Sequence, residues 1–107
     1  MSIILTHTYY LFEDPKEQLI MRPYAPLGLL YISSYLNEND VENHVYDSTF
    51  YSKEEQLSYI AKKRPKAVAI YTNIMTKVNV IKLVKILIDE AKYGFPKIIL
   101  GGPRHYL

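Results

Sequence analysis

Cysteine is absent from this sequence of 107 residues. Disulfides, thiolate zinc sites and a cysteine nucleophile are therefore excluded within the chain. Glycine is also scarce, with four residues, and two of these stand together in the closing stretch KIILGGPRHYL. An apolar run followed by two glycines predicts a strand that ends in a loop which another group can approach closely.

Long apolar runs and a strong charge of one sign are missing as well. The longest apolar segments fall short of the roughly 20 residues that span a bilayer, and no basic leader precedes the apolar start of the chain. The net charge of +2 is too small to indicate a nucleic-acid or membrane partner. We therefore expect a single cytoplasmic domain over residues 1–107, with no nucleic-acid or membrane partner.

Four short runs rich in branched residues predict strands at residues 3–8, 41–47, 67–73 and 97–100. The first, third and fourth runs are continuously apolar, which is typical of strands covered on both faces. The second run is more polar and alternates, which favours a position at the edge of the sheet.

Three helical patterns separate these strands. Pro26 suits the first turn of a helix, Ser52 and Glu55 have the spacing of a capping box, and Thr76 is placed to cap the third helix. The apolar positions expected to face the core are Leu29, Ile32 and Leu36 in the first helix and Val80, Ile81, Val84, Leu87, Ile88 and Ala91 in the third.

The alternation of strands and helices predicts an α/β fold, a doubly wound parallel sheet with right-handed crossovers and helices on both faces. Ligands of such folds bind at the carboxyl ends of the strands, where the strand order reverses. The loops that follow Thr8, Asn73 and Leu100 are therefore the candidate binding loops. The long connection at residues 9–25 either contributes to binding or is a surface excursion.

Common sites are missing from these loops. Neither Gly-x-Gly-x-x-Gly nor Gly-x-x-x-x-Gly-Lys-Ser/Thr occurs, so nucleotide binding by those routes is excluded. The three histidines lack the short spacing of a metal-binding pair, and we expect no metal ligands. The side chains of Thr72, Asn73 and Thr76 either hydrogen-bond a ligand over the sheet edge or only cap the helix and satisfy the turn.

Two long segments carry a resemblance to a known family. RPYAPLGLLYISSYLNENDVENHVYDSTF resembles the Pro-x-Gly-Leu-x-Tyr-(Ile/Leu)-x-x-Tyr-Leu opening of the cobalamin-binding domains that precede the barrel of radical S-adenosylmethionine enzymes. PKAVAIYTNIMTKVNVIKLVKILIDEAKYGFPKIILGGPRHY is similar to the second half of the same domain, including its Gly-Gly-Pro-(His/Arg) ending. The resemblance implies a Rossmann-like, three-layer α/β/α domain with four strands in the order 2-1-3-4.

The resemblance also implies a ligand and its contacts. The corrin ring of cobalamin would lie over the carboxyl ends of the strands, where small and hydroxyl-bearing residues leave room for a macrocycle. His7 does not stand in the Asp-x-His-x-x-Gly motif that ligates cobalt in other cobalamin domains. The residues implied in cofactor binding are Thr8, Tyr9, Pro26, Leu27, Gly28, Thr72, Asn73, Met75, Thr76, Gly101, Gly102, Pro103 and Arg104.

The family's radical chemistry needs S-adenosylmethionine and a [4Fe-4S] cluster held by three cysteines. Since this chain has no cysteine, those groups are expected only in a downstream barrel domain or a partner chain. The family fold normally adds a fifth strand after the glycine pair. We therefore expect the domain to be incomplete at its carboxyl end, with a fourth strand whose open edge favours homo-oligomers.

The resulting hypothesis is a cobalamin-binding module of a radical S-adenosylmethionine methyltransferase or cyclase, with no catalytic residues in this chain. The alternative is a free-standing interaction module or a truncated gene product that holds no cofactor. A small hydrolase has little support, because no motif places a base beside a nucleophile.

Overall fold

The computed structural model of the chain describes residues 2–11, 27–72, 76–90 and 96–101. Four strands and three α-helices alternate along it, with a short 3-10 helix at Ser48–Phe50. In chain order the elements are β1 (Ile3–His7), α1 (Leu27–Glu38), β2 (Asn43–Tyr46), α2 (Lys53–Lys63), β3 (Ala67–Tyr71), α3 (Lys77–Glu90) and β4 (Lys97–Gly101).

All four strands are parallel and form one sheet in the order β2-β1-β3-β4. Ile3 pairs with Asn43 on one side and with Ala67 on the other, so β1 lies at the centre of the sheet beside β3. The predicted α/β class, the parallel sheet and the strand order are confirmed. The predicted strands differ from the observed ones by one or two residues at their ends.

The start and end of α2 follow from local chemistry. The Ser52 side chain accepts a hydrogen bond from the Glu55 N–H, and the Glu55 carboxylate accepts one from the Ser52 N–H, both at 3.1 Å. The predicted capping box is therefore confirmed. The helix ends where Arg64 adopts a left-handed conformation with φ 47°, directly before the buried Pro65.

The main core lies between the sheet and the pair α2 and α3. Val68 and Ile70 of β3 point to this side, and the adjacent Tyr71 points to the opposite side, where a Cβ at Gly28 of α1 would lie 3.8 Å from its ring. The helices therefore cover both faces of the sheet. The buried residues of the main core are Ile4, Ile60, Val68, Ile70, Val80, Leu83 and Leu87.

The expected core positions in α3 need correction. Val80 and Leu87 are buried as predicted, but Ile81 and Ile88 are 56% and 62% exposed, and the buried stripe runs through Leu83 instead. At about 100° per residue, positions 80, 83 and 87 share one face of a helix, whereas 81 and 88 turn away from it. Ala91 lies outside the described residues.

The first helix also differs from its expected pattern. Leu29 is buried and Leu36 is half-buried, but Ile32 is exposed. Of the other helices and strands in the described part of the chain, α1 contacts mainly β2 and β1, at one side of the sheet. A narrow contact of this kind buries one stripe of the helix and leaves Ile32 in solvent.

The expectation that the fourth strand is covered on both faces is wrong. Four of the five residues of β4 are exposed, and only Ile98 is partly buried. The run is apolar, but the strand lies at an edge of the sheet with β3 as its neighbour. The expected edge position of β2 is confirmed. Among the described residues, no helix is long and apolar enough to cross a membrane.

Candidate functional site

The candidate site lies at the carboxyl edge of the sheet. The connections that leave β1 and β3 run in opposite directions across the sheet, because β2 lies on one side of this pair and β4 on the other. Ligands of doubly wound sheets bind at such a point of divergence. The residues around it are the ends of β1 and β3 and the amino termini of the helices that follow.

Three of the predicted threonines meet in this region. Thr8, Thr72 and Thr76 are all buried, and the Thr8 hydroxyl donates to the Thr76 carbonyl at 3.2 Å. Asn79 of α3 also donates to the Thr8 carbonyl at 3.2 Å. These bonds tie the end of β1 to the start of α3.

The two described glycines of the site have no packing reason to be glycine. A Cβ at Gly101 would meet nothing within 4 Å, and a Cβ at Gly28 would make only ordinary contact with the Tyr71 ring. The Gly101 carbonyl accepts from the Thr72 N–H at 2.7 Å, which brings these two predicted residues together. Leu27, beside Gly28, is exposed.

Some of the predicted positions lie outside the described residues. Tyr9 is described and is partly buried next to Thr8. Six predicted residues lie outside the described part of the chain: Pro26, Asn73, Met75, Gly102, Pro103 and Arg104. Their proposed contacts with a ligand stay predictions.

A polar network at the ends of β1 and β2 was not anticipated from the sequence. His7 Nε2 lies 2.7 Å from Asp47 Oδ1, and His7 Nδ1 accepts the Tyr9 N–H at 3.1 Å. Because Nδ1 is the acceptor, Nε2 carries the proton and donates it to Asp47. The Ser48 hydroxyl lies 3.2 Å from Nδ1. The structure thus brings an aspartate, a histidine and a serine together.

The geometry of this network does not suit nucleophilic catalysis. Ser48 is 0% exposed, and its oxygen lies 2.8 Å from both the His7 and the Tyr9 carbonyls, which compete for its single proton. A general base needs a free lone pair directed at the nucleophile, but Nδ1 already accepts from the backbone of Tyr9. The network holds the loop after β1 against the end of β2.

Gln56 extends this network into the core side of the sheet. Its side chain is completely buried, and its Nε2 donates to the Thr6 hydroxyl and the His7 carbonyl, both at 2.8 Å. Its Oε1 accepts from the Tyr10 hydroxyl. The only sequence signal for this role is that Gln56 precedes the buried Ile60 by one helical turn.

Three tyrosines pack beside the network, along the β2 edge. The Tyr46 ring lies 4.6 Å from the Tyr59 ring and 5.3 Å from the Tyr51 ring, measured between centroids. Burial, followed by the negative charge of Glu55, raises the pKa of Tyr46 to about 12. The Tyr46 hydroxyl therefore stays protonated at neutral pH and cannot serve as a base.

The carboxylate of Asp47 is held in its charged form. Burial acts to raise its pKa, but hydrogen bonds from the Thr49 hydroxyl and N–H and from His7 outweigh this effect. The pKa of Asp47 therefore lies below its ordinary value of 3.8. Above the ordinary pKa of an aspartate, the charged carboxylate stabilises the folded chain. This stabilisation is lost as the pH falls through the lowered pKa of the folded state.

In acid, the free energy of unfolding of the Asp47→Asn variant should depend less on pH than that of the wild type. The free energy of unfolding of the wild type should fall more steeply between about pH 5 and pH 2, because the unfolded chain takes up the proton of Asp47 first. Urea titrations at several pH values measure this slope. Asp89→Asn, which removes an exposed carboxylate from α3, serves as the control. Parallel profiles for the wild type and Asp47→Asn would contradict the role assigned to Asp47.

Comparison of the chain with protein-family models, with curated proteins and with solved structures finds no match. No group of three or more histidine, aspartate or glutamate side chains that could hold a metal ion occurs in the described ranges.

Proposed function

We propose that this chain is the cobalamin-binding module of a radical S-adenosylmethionine system, and that it binds the cofactor without making or breaking bonds itself. The observation that carries the proposal is the parallel sheet in the order β2-β1-β3-β4, with its switch point between β1 and β3. That order suits several ligand classes. The sequence resemblance from residue 3 to residue 106 is what favours cobalamin among them.

The glycines at the carboxyl edge of the sheet favour a flat ligand over other ligand classes. Neither Gly28 nor Gly101 is required by a left-handed backbone or by a close neighbour. A glycine in the first turn of a helix lowers helix stability by up to about 1 kcal/mol relative to alanine, so its presence at residue 28 calls for another reason. Close approach of a macrocycle to the backbone supplies one.

The residues present fit a cobalamin whose cobalt is not bound by His7. Both ring nitrogens of His7 are engaged, one by Asp47 and the other by the backbone of Tyr9. When bound, cobalamin would supply methyl transfer in the methyltransferase branch of the family.

The role of the described residues is to form and position the edge on which the cofactor would rest. Thr8 and Thr76 fix the start of α3 against the end of β1, and Thr72 fixes the end of β4. The iron-sulfur cluster and S-adenosylmethionine would be held by a downstream barrel domain or a partner chain, because the sequence has no cysteine.

Retention of hydroxocobalamin tests the proposal. The chain is incubated with the cofactor and desalted, and the visible spectrum of the protein fraction is recorded. We expect corrin bands with the wild type and a loss of at least about tenfold with Gly28→Leu, which places bulk on the exposed start of α1. Circular dichroism should show that this variant is folded, because leucine is the better helix former.

Ala61→Leu is the matched control, since it adds a similar side chain to an exposed position near the other end of the sheet. It should retain cobalamin as the wild type does. Equal retention by wild type and Gly28→Leu would indicate incidental coordination by surface imidazoles and would contradict the proposed site. A folded wild type that retains no cofactor would favour the free-standing interaction module.

A further inference from the structure

The outer edge of β4 carries unused backbone groups. The Lys97 N–H and the Gly101 carbonyl both bond toward the β3 side of the strand. Since successive residues of a strand direct their N–H and C=O groups to opposite sides, those of Ile98 and Leu100 point away from β3. Among the strands that the structure describes, none lies on that side. The edge thus presents two donors and two acceptors.

Apolar side chains flank this edge on both faces. Ile99 and Leu100 are 53% and 47% exposed and, as neighbours in a strand, point to opposite faces of the sheet. Such an edge is an association site unless charge, proline or a cover protects it. Within β4 the only charged residue is Lys97, at its start.

The exposed isoleucines of α3 lie next to the same edge. Ile81 and Ile88 are spaced by seven residues, so they share one flank of the helix, roughly a third of a turn from the buried stripe. Parallel strand-helix-strand units adopt a right-handed crossover. In the unit from β3 to β4, this hand turns the flank toward β4 rather than toward α2. The apolar surface is therefore continuous from the strand edge to the helix.

We propose that two copies of this chain associate through their β4 strands, in antiparallel register about a two-fold axis at Ile99. Ile98 then faces the partner's Leu100 in a pair that exchanges both backbone hydrogen bonds, and the reciprocal pair does the same. The two copies of Ile99 face each other in the pair without hydrogen bonds, where side chains are closest. All four unused groups of each edge are satisfied.

The distribution of charge and bulk selects this register. Antiparallel pairing sets Lys97 opposite the partner's Gly101, so the two ammonium groups lie at opposite ends of the junction. Parallel pairing in register would place the two lysines side by side, which is destabilising. A second copy is therefore a complementary occupant of this edge.

The spacing of the helices supports the same partner. As the crossover between β3 and β4, α3 packs over these two strands, with Val80, Leu83 and Leu87 buried against the sheet. Across the joined sheet the two α3 helices are then separated by two strand spacings, about 9.6 Å. Helices in contact pack at about 8–10 Å. Ile81 and Ile88 would thus be covered by the same residues of the second copy.

A single introduced thiol tests the register. The chain has no cysteine, so Ile99→Cys carries the only thiol, and oxidised glutathione can join two copies by a disulfide. We expect Ile99→Cys to form linked dimers at least about tenfold faster than His44→Cys, the control on the opposite edge strand β2, because facing residues of antiparallel strands meet the geometry of a disulfide. Non-reducing gels and intact mass measure the product.

Light scattering tests the association itself. The wild type should approach twice the chain mass of 12.5 kDa as its concentration rises, and Leu100→Lys, which adds a charge to the edge, should remain at 12.5 kDa. Leu100→Pro gives a second test, since it removes an outward N–H and keeps the bonds to β3. Circular dichroism checks that both variants are folded.

A wild type that stays monomeric, together with equal cross-linking of the two thiol variants, would overturn the proposal. A dimer that persists in Leu100→Lys and in folded Leu100→Pro would overturn it as well, because the contact would then lie on another surface. The proposal does not rest on cobalamin binding, and retention of the cofactor does not enter either measurement.

Discussion

Replacing Leu83 with alanine is expected to lower the free energy of unfolding by about 2–5 kcal/mol. Leu83 is 0% exposed and lies in the centre of the core between α3 and the sheet. The substitution removes three buried carbon atoms and leaves a cavity that the β3 side chains Val68 and Ile70 can fill only in part. Urea unfolding followed by circular dichroism measures the change.

Val78→Ala is the matched control for this prediction. Val78 lies on the same helix but is exposed, so its truncation should change the stability by no more than about 0.5 kcal/mol. A loss for Leu83→Ala no larger than that of the control would contradict the placement of Leu83 in the core. It would also contradict the orientation of α3 on which the exposed position of Ile81 and Ile88 depends.

Replacing Gln56 with leucine should lower the free energy of unfolding by about 2–3 kcal/mol. The two side chains have similar volumes, so the effect comes from hydrogen bonds rather than from a cavity. The variant loses the donor to the Thr6 hydroxyl and the His7 carbonyl and the acceptor of the Tyr10 hydroxyl. In the described part of the protein every buried side-chain nitrogen and oxygen atom has a partner. The substitution therefore removes hydrogen bonds from a fully satisfied network.

Ser58→Ala is the control for Gln56→Leu, since it removes an exposed hydroxyl from the same helix. We expect the control to remain within about 0.5 kcal/mol of the wild type. If leucine at position 56 is tolerated equally well, the network does not stabilise the end of β1. Nuclear magnetic resonance of the Tyr9 amide would report the same loosening through faster hydrogen exchange.

The elements of this fold could be predicted because their signals are local. Ser52 and Glu55 form a capping box three residues apart, and Pro65 ends the helix that they begin. The alternation of strands and helices predicts the parallel sheet, because two strands joined by a crossover helix run in the same direction. These signals depend on neighbouring residues, and the structure confirms them.

The polar network could not be predicted in the same way. His7 and Asp47 are separated by 40 residues, and His7 and Gln56 by 49. Only the pairing of β1 with β2 and the packing of α2 on the sheet bring them together. Because the carboxyl ends of parallel strands meet at one edge of the sheet, the order β2-β1 places the end of β1 beside the end of β2.

The sequence by itself determined the α/β class, the order of elements and the cap of α2, because periodicity and capping act over a few residues. Only the tertiary structure decided which apolar residues are buried. Ile81, Ile88 and Ile99 look like core residues in the sequence, yet they lie in solvent because no described element packs beyond β4. Burial depends on what lies opposite a side chain, and neighbours in sequence do not specify that.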